Sequence, residues 1–402
     1  MRYFLSVGEP SGDLHASNLI QQLQKLDPAA TFTGYGGPKM QQAGCDVLFD
    51  LTKLGVMFLA GVIANFRLFM RLISQADRIF AEKKFDAVVL VDYPGLNWWI
   101  ARKAKKHKIC VFYYGVPQMW AWAPWRISKI RKYVDYVICK LPFEPKWFAD
   151  RGCEAHYVGH PYFDELQKQT DSVCSALQSQ MGAAKTLLLL PGSRRTELDR
   201  NLGTLVKVAQ HVQKHQPETN IVMGCLNDEH RELAQPACRD STANIEIYSA
   251  RTIELMKLSD ACVACSGSVS LELLHHRLPT VIVYKLGPIM MLIQSVVRRC
   301  KFITLTNLMN SADIQRTTWL PNDPDADQDS VLMPEYLFSW QDCSDKVANW
   351  IVKWFEDDEL RAVKAQQLDQ LAKQYAIPGA TARAGQFIFE KLQGGQSAKV
   401  AA

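Results

Sequence analysis

The strongest constraint on the fold is a regular alternation of short apolar runs with longer stretches of helical pattern. In the first half of the chain the apolar runs are Tyr3–Val7, Phe85–Val91, Ile109–Tyr114, Val134–Cys139 and His156–Val158. Strands that alternate with helices are typical of a parallel sheet with both faces covered, because each crossover lays a helix on the sheet. The first half of the chain therefore predicts one α/β domain.

A second series of the same kind follows a polar, Gln- and Ser-rich stretch at 164–184, which we interpret as a linker. Its apolar runs are Lys185–Leu190, Asn220–Met223, Ile245–Tyr248, Ala261–Ala264 and Pro279–Tyr284. We predict an α/β chain with two Rossmann-like, doubly wound domains, residues 1–165 and 185–343, that face a cleft. Helices are predicted over 344–393, and packing back on the first domain is one option for them.

The distribution of charge indicates the kind of partner, and the cysteines indicate the redox compartment. Residues 1–165 contain 21 Lys and Arg against 15 Asp and Glu, whereas the rest of the chain has 25 against 26. A basic half suits an anionic partner such as phosphate, nucleic acid or acidic lipid. Cysteines without a regular spacing indicate a reducing compartment, and the Cys262/Cys265 pair lies in a strand-like run without a second pair, so no metal site is expected. Met1 leads directly into a strand-like run, unlike a signal peptide.

Two motifs of the second domain have the chemistry of a phosphate site. In LLPGSRRTE, Gly192 permits a tight turn, Ser193 can cap the next helix, and Arg194 adds a fixed charge. In SGSVSLE, Ser266, Gly267 and Ser268 supply hydroxyls and backbone at a helix start, and Glu272 could accept from ribose hydroxyls. Together they favour a nucleotide; the alternatives are a structural turn and an ordinary capped helix.

Two motifs of the first domain follow its strands. GEPSGD (Gly8 to Asp13) lacks the GxGxxG spacing, so a nicotinamide site is not expected. Glu9 or Asp13 could hydrogen-bond acceptor hydroxyls, or could simply cap a helix. In VDYPGLN, Asp92 ends a buried strand and could act as general base on an acceptor hydroxyl, with helix capping as the alternative.

Two apolar segments suggest contact with sugar or lipid. The run PQMWAWAPWR (Pro117 to Arg126) concentrates Trp residues, which could form a sugar or lipid wall or pack in the core. The run Leu54 to Ala64 is apolar over 11 residues, too short for a spanning helix, which needs about 20. Its basic, apolar continuation is typical of an interfacial helix, although a core helix fits as well.

In this order, GEPSGD, VDYP, PQMWAW, GHP, LLPGSR and SGSVSLE resemble the lipid A disaccharide synthase family of glycosyltransferases over nearly the whole chain. The resemblance implies a GT-B fold of two Rossmann-like domains. It implies inverting transfer of a diacylglucosamine unit from UDP-diacylglucosamine to diacylglucosamine 1-phosphate, without a metal or other cofactor. Departures are Pro10 for Ala, Gly95 for a second acidic residue, Thr306 for Pro, and an acidic insertion at 321–330.

Carried onto this sequence, the resemblance makes Asp92 the catalytic base. The expected UDP contacts are Gly192, Ser193, Arg194, Ser266, Gly267, Ser268, Glu272 and Asn307. The expected acceptor contacts are Glu9, Ser11, Gly12, Asp13, Trp120 and Trp122. The expected membrane patch, within Val56 to Met70, consists of Val56, Phe58, Leu59, Val62, Ile63, Phe66 and Phe69.

The expected partners are therefore the two lipid substrates and the anionic inner face of the inner membrane, with a cytoplasmic, peripheral location and no nucleic acid. Two alternatives stay open at this point. One is another enzyme of the same fold, such as a UDP-N-acetylglucosamine 2-epimerase or a different UDP-sugar transferase. The other is a peripheral membrane protein that binds nucleotide or lipid without turnover.

Overall fold

The structure is a computed structural model that describes residues 1–54, 66–168, 175–316, 325 and 331–400. The chain divides into two compact units. The first comprises Met1–Glu165 and Ile377–Ala402, and the second comprises Leu166–Ala376. Each unit is built around one parallel β-sheet, so the predicted α/β class is confirmed.

The sheet of the first unit has seven strands in the order β3-β2-β1-β4-β5-β6-β7. All its strand pairs are parallel. The central strands are buried along their length because they consist of apolar residues that are covered on both faces. The strands are β1 (Arg2–Val7), β2 (Thr31–Gly36), β3 (Cys45–Asp50), β4 (Ala87–Val91), β5 (Cys110–Tyr114), β6 (Tyr136–Cys139) and β7 (Ala155–Tyr157).

The helices that accompany this sheet include both early and very late segments of the chain. The C-terminal helix packs on α1, where Ala384 and Ile388 share a core with Leu19 and Leu23. The helices are α1 (Pro10–Leu26), α2 (Pro38–Gln42), α3 (Phe66–Glu82), α4 (Pro94–Lys106), α5 (Met119–Trp122), α6 (Ile127–Tyr133), α7 (Glu144–Ala149) and α8 (Tyr162–Lys168).

The sheet of the second unit has six parallel strands in the order β10-β9-β8-β11-β12-β13. These are β8 (Thr186–Leu190), β9 (Asn220–Cys225), β10 (Ile245–Ser249), β11 (Ala261–Cys265), β12 (Thr280–Lys285) and β13 (Glu335–Phe338). The remaining helices are α9 (Ser175–Met181), α10 (Arg195–His215), α11 (Asp228–Arg239), α12 (Thr252–Leu258), α13 (Val269–His275), α14 (Pro288–Val297), α15 (Leu305–Asn310), α16 (Ser344–Glu356), α17 (Asp358–Tyr375) and α18 (Ala380–Val400).

The C-terminal helices are divided between the units. Helix α16 packs on α10 in the second unit, with Trp350 and Trp354 in that core. Helix α18 instead belongs to the first unit. No helix in the described ranges is long and apolar enough to cross a bilayer.

Both sheets reverse their strand order at one point. In the first sheet the reversal lies between β1 and β4, and in the second it lies between β8 and β11. Ligands of doubly wound sheets bind beyond the carboxyl ends of the strands at such a switch point. The loops that follow these four strands are GEPSGD, DYPG, PGSR and SGSVS, so the topology brings the sequence motifs together in pairs.

Candidate active site

The two loops at the first switch point are packed against each other. A Cβ atom on Gly8 would lie 2.1 Å from the ring of Tyr93, closer than any side chain tolerates. Gly12 is buried as well, and a Cβ there would lie 2.9 Å from Val7 Cγ1. The glycines of GEPSGD therefore let the loop after β1 lie directly against the loop after β4.

Asp92 follows β4 in an unusual backbone conformation. Asp92 and Tyr93 have φ values of 44° and 43°, so two successive residues other than glycine are left-handed. Such residues cost free energy and persist where surrounding contacts hold them. Here the Asp92 carbonyl oxygen accepts hydrogen bonds from Tyr113 Oη at 2.7 Å and from Asn97 Nδ2 at 2.8 Å. Asn97 is fully buried, so this support is part of the core.

The carboxylate of Asp92 has a cationic neighbour. Lys140 Nζ lies 3.6 Å from Asp92 Oδ1, and the Asp92 side chain is 31% exposed. The ammonium group of Lys140 therefore forms an ion pair with this carboxylate at the carboxyl end of the sheet. Lys140 could not be predicted from the sequence, because a single lysine after β6 carries no recognisable pattern.

Two histidines beside Lys140 are held neutral. Burial, and then the charge of Lys140, lowers the pKa of His15 to about 3. Burial, followed by Lys140 and His15, also lowers the pKa of His160 well below its ordinary value. His160 belongs to the GHP motif. Neither imidazole is therefore charged at neutral pH.

The other acidic residues predicted here have different surroundings. Asp13 is 2% exposed, and its carboxylate accepts hydrogen bonds from the backbone N–H groups of Gly37, Lys39 and Met40. It therefore caps α2, the alternative that the sequence left open, and both of its oxygens already accept backbone hydrogen bonds. Glu9 is half-buried at the N-cap of α1, and Ser11 is exposed on its first turn.

The two tryptophans that were expected to contact the acceptor differ in burial. Trp120 is 4% exposed, and its Nε1 donates to Glu144 Oε1 at 3.0 Å, so it is a core residue. Burial raises the pKa of Glu144, which also accepts from the backbone N–H of Lys140 at 3.0 Å. Trp120 thus supports the strand end that carries Lys140, whereas Trp122 is on the surface, 39% exposed.

At the second switch point, Gly192 brings the PGSR loop against the end of β11. Its φ is +119°, and a Cβ there would lie 2.6 Å from Glu197 Cβ and 3.5 Å from Cys265 Sγ. Glu197 Oε2 accepts hydrogen bonds from the N–H groups of Ser193 at 3.1 Å and Arg194 at 3.2 Å. A carboxylate therefore already caps the N–H groups that the sequence assigned to phosphate. The Arg194 side chain is 60% exposed.

The neighbouring SGSVS loop presents open backbone. Gly267 and Ser268 are exposed, and a Cβ on Gly267 would meet no atom within 4 Å. In the described residues no acceptor is found for the N–H groups of Gly267 and Ser268. Ser266 is half-buried at the end of β11, and Glu272 is half-buried on α13. In the described residues, the backbone N–H groups without an acceptor at this switch point are therefore in SGSVS, whereas those of Ser193 and Arg194 are capped by Glu197.

Asn307 lies in a buried network. Its amide nitrogen donates to the Met333 carbonyl oxygen at 2.7 Å and to Glu335 Oε1 at 2.8 Å, and its amide oxygen accepts from Met333 N–H at 3.0 Å. The amide thus ties α15 to β13. Next to it, Thr306 Oγ1 donates to the Ser270 carbonyl oxygen at 3.0 Å, which joins α15 to the helix after SGSVS.

The predicted membrane patch is only partly described. Val56, Phe58, Leu59, Val62 and Ile63 lie outside the described residues. Phe66 is 60% exposed at the start of α3. Phe69 is instead 9% exposed, because the helical period turns it toward the core with Leu72 and Ile73. Phe69 therefore does not belong to an exposed patch.

A family model decides what these paired loops belong to. The model for lipid-A-disaccharide synthetase matches residues 3–330. The chain belongs to this family. The lipid-A-disaccharide synthase of Trichlorobacter lovleyi is 31% identical over 316 residues, which is 78% of this chain and 82% of that protein. The enzyme of Coxiella burnetii (strain Dugway 5J108-111) is 33% identical over 311 residues, 76% and 81% of the two chains.

Solved structures share the fold at low identity. S. aureus MnaA in its co-structure with UDP has a TM-score of 0.61 at 12% identity, over 98% of this chain and 97% of that one. The Neisseria meningitidis UDP-GlcNAc 2-epimerase bound to UDP-GlcNAc has a TM-score of 0.60 at 12% identity, over 98% and 100%. Acinetobacter baumannii MurG has a TM-score of 0.56 at 14% identity, over 97% and 99%.

These comparisons confirm several expectations. The fold is of the GT-B type, and the protein is an enzyme, a glycosyltransferase that forms the lipid A disaccharide. The epimerase alternative is not favoured, since the epimerases share only the fold with this chain whereas the curated relatives share its family. A non-catalytic binding protein is not favoured either.

Proposed function

We propose that the protein transfers a 2,3-diacylglucosamine unit from UDP-2,3-diacylglucosamine to 2,3-diacylglucosamine 1-phosphate with inversion, and that Asp92 is the general base. The observation that carries this assignment is the Asp92 loop itself. Its left-handed backbone is held by a buried asparagine and a tyrosine hydroxyl, and its carboxylate is paired with Lys140 at 3.6 Å. A strained, supported carboxylate at a switch point is characteristic of a working group rather than a surface cap.

In the proposed reaction, the acceptor hydroxyl attacks the anomeric carbon of the donor while its proton passes to the Asp92 carboxylate. The bond from that carbon to the UDP oxygen breaks, the new glycosidic bond forms on the opposite face, and UDP leaves with both electrons of the broken bond. Protonated Asp92 then returns its proton to solvent. Lys140 is the cationic partner of the Asp92 carboxylate.

The second unit binds the UDP group in this proposal. The N–H groups of Gly267 and Ser268 meet one phosphate, and the exposed guanidinium of Arg194 meets the other. Glu272 remains the proposed ribose contact. Asn307 acts by holding α15 against β13 and the SGSVS helix, since both ends of its amide are used internally.

We also propose docking on the anionic inner face of the inner membrane, since a diacylated acceptor stays in its bilayer. On α3, Phe66 and Met70 are exposed at 60% and 44% beside the exposed Arg67 and Arg71. Helix α14 has no buried residue, with Ile289 at 78% and Leu292 at 68% exposed, and Arg298 and Arg299 follow it. Apolar side chains beside basic ones match the chemistry of an anionic lipid surface.

The deciding experiment is incubation of the full chain with both lipid substrates while UDP release and disaccharide formation are followed. We expect both products in equal amounts, with the acceptor required for UDP release. Omission of the acceptor is the internal control. Absence of disaccharide at every acyl length tested would overturn the substrate assignment, and UDP-sugar epimerisation in its place would restore the epimerase alternative.

A further inference from the structure

A small cavity of the first unit lies close in sequence to the Asp92 loop. Its volume is about 280 Å³, and it is lined by Gly95, Trp98, Trp99, Arg126 and Lys129. Helix α4 supplies the glycine and both tryptophans, and the 3-10 turn Pro124–Arg126 and helix α6 supply the two cations. Gly95 is three residues after Asp92, on the first turn of the helix that Asp92 precedes.

The two cations of this cavity are not neutralised. Within the described ranges, neither Arg126 nor Lys129 has a carboxylate within ion-pair distance. Arg126 instead stacks on the Trp122 ring at 4.4 Å, and Lys129 Nζ lies 5.8 Å from the centre of the Trp98 ring. A positive potential therefore remains at the cavity, which an anion would relieve.

Other cations of the same unit show that this is not the general rule. Lys103 and Lys106 on α4 both pair with Asp77, and Lys105 pairs with Asp135. Lysines at the C-terminal end of α4 thus have carboxylate partners, whereas the two cations that line the cavity have none within the described ranges.

The backbone adds to the same field. Helix α4 begins at Pro94 and continues for 13 residues, and the first-turn N–H groups of a helix carry partial positive charge. Gly95 is exposed, and a Cβ there would meet nothing within 4 Å, so a ligand can approach the backbone closely. Two cationic side chains and a helix start therefore lie at the same cavity.

The aromatic walls and the size of the cavity restrict that anion further. Trp98 is 7% exposed and is held by the core, whereas Trp99 is 47% exposed and has much of its surface available. Tryptophan packs against the apolar face of a sugar ring. A cavity of about 280 Å³ is at or below the size of sites for drug-sized ligands, about 300–1,000 Å³, so it suits a phosphate and an adjoining ring rather than acyl chains.

We propose that this cavity binds the phosphomonoester of the acceptor sugar, with Arg126 and Lys129 on the phosphate and the two tryptophans against the ring. This inference rests on the proposed function for the identity of the acceptor. It makes Arg126 and Lys129 the residues that distinguish a phosphorylated acceptor from an unphosphorylated one.

The test is calorimetric titration of glucosamine 1-phosphate, a soluble probe without acyl chains, into the full chain. The double variant Arg126→Gln/Lys129→Gln removes both charges but keeps the aliphatic stems, and we expect it to weaken binding tenfold or more. The matched control Arg131→Gln/Lys132→Gln removes two charges from the exposed face of the same helix and is expected to bind like wild type. UDP affinity should not change in either variant. Equal affinity of both double variants for glucosamine 1-phosphate would overturn the proposal.

A second arm separates the sugar phosphate from lipid headgroups. Sedimentation with phosphatidic acid vesicles presents the same phosphomonoester chemistry on a bilayer. If the Arg126/Lys129 variant loses vesicle binding but keeps glucosamine 1-phosphate binding, the cavity binds lipid headgroups and the acceptor assignment is wrong. If unfolding midpoints show that the double variant does not fold, the single variant Lys129→Gln, at an exposed position, takes its place with Lys132→Gln as control.

Failure of this inference is distinguishable from failure of the proposed function. Titration needs no turnover. Charge-dependent binding of glucosamine 1-phosphate by an inactive protein would therefore support the proposed phosphate site and contradict the proposed reaction. Normal disaccharide synthesis with an unchanged KM for the phosphorylated acceptor in the double variant would do the reverse.

Discussion

The two switch points of this protein have the same topology and opposite surroundings. At the first, between β1 and β4, Gly8 is closed against a tyrosine ring, Asp92 is strained, and two neutral histidines lie beside Lys140. At the second, between β8 and β11, the loops are exposed, and the N–H groups of Gly267 and Ser268 are open to ligand.

The difference teaches how one architecture serves two tasks. A general base must have a fixed direction and a controlled charge, which requires a rigid and largely buried loop. A diphosphate is bound by several N–H groups and a guanidinium, which must be accessible before it arrives. In the proposed function, the same strand order thus provides a rigid edge for the general base in one unit and an open edge for the nucleotide in the other.

The contrast between the two switch points is tested most directly at Asp92. We expect Asp92→Asn to lower kcat by roughly 100- to 10,000-fold, because the shape is kept while the base is lost. UDP affinity should be unchanged, since we propose that the nucleotide binds at the second switch point. Steady-state kinetics and UDP titration measure the two effects. Near-normal kcat would make Asp92 a structural residue and leave Glu9 as the next candidate.

At the other switch point, Arg194→Ala should weaken UDP and UDP-sugar alike. A charge-assisted contact with the diphosphate contributes about 1.5–3 kcal/mol, or roughly tenfold to more than a hundredfold in Kd. Arg195→Ala is a neighbouring control, since Arg195 is exposed and pairs with Glu229. Calorimetry that finds the same UDP affinity in both variants would remove Arg194 from the site.

The backbone of the open edge can be tested with a pair of glycines. Gly192→Ala places a Cβ atom at φ +119°, 2.6 Å from Glu197 Cβ. We therefore expect the free energy of unfolding to decrease by about 1–3 kcal/mol. Gly203→Ala lies inside α10 with nothing within 4 Å, and should stabilise by up to about 1 kcal/mol. Thermal unfolding of both variants measures the contrast. Equal melting temperatures would show that the PGSR turn is not strained by a Cβ.

Membrane docking sharpens the comparison between the units, since each presents an exposed apolar helix. We expect Phe66→Ser/Met70→Ser to weaken binding to anionic vesicles about tenfold, because burial of an apolar side chain contributes about 1.5–3 kcal/mol when complete. Ile289→Ser/Leu292→Ser tests α14 in the same way. Sedimentation at low and high salt is the measurement, with UDP affinity as the control for folding. Unchanged vesicle binding in both would place the docking surface elsewhere.

The smallest expected effect concerns pH. A histidine with a folded pKa of about 3 stays neutral where the unfolded chain, near 6.5, is protonated. Its contribution to stability is therefore present above pH 6.5 and is lost as the pH falls toward 3. When the pH falls from 7 to 5, we expect the free energy of unfolding of His15→Asn to decrease by about 1–2 kcal/mol less than that of wild type, as measured by urea unfolding. The exposed His156→Asn is the control. Identical pH slopes would contradict the buried neutral form.

Much of the fold was predictable because its signal is local. The runs FDAVVLV and KTLLLL are uniformly apolar, and the structure contains β4 and β8 there. The strands that the sequence did not predict are β2, β3 and β13. Strand β2 (TFTGYG) contains two glycines, and in β3 (CDVLFD) two aspartates leave only three consecutive apolar residues, so neither has a long apolar run. They form because neighbouring strands offer a complete hydrogen-bonding edge.

The candidate site was predictable in its motifs and less so in its partners. Asp92 could be named because it ends a buried strand. Lys140, Asn97 and Tyr113 could not, because they come from other elements and approach it only when the sheet is assembled. The same holds for Asp13, whose carboxylate caps a helix 24 to 27 residues away in sequence.

What the sequence by itself determined is the class of fold, the order of the strands' motifs and the family, since periodicity and short motifs are written in consecutive residues. What only the tertiary structure decided is which polar groups are occupied. Asp13, Trp120 and Asn307 look equally available along the chain, yet each is used inside the core. Burial and hydrogen-bond pairing depend on residues that are far apart in sequence. A buried polar group that is already hydrogen-bonded within the core is not available to a ligand.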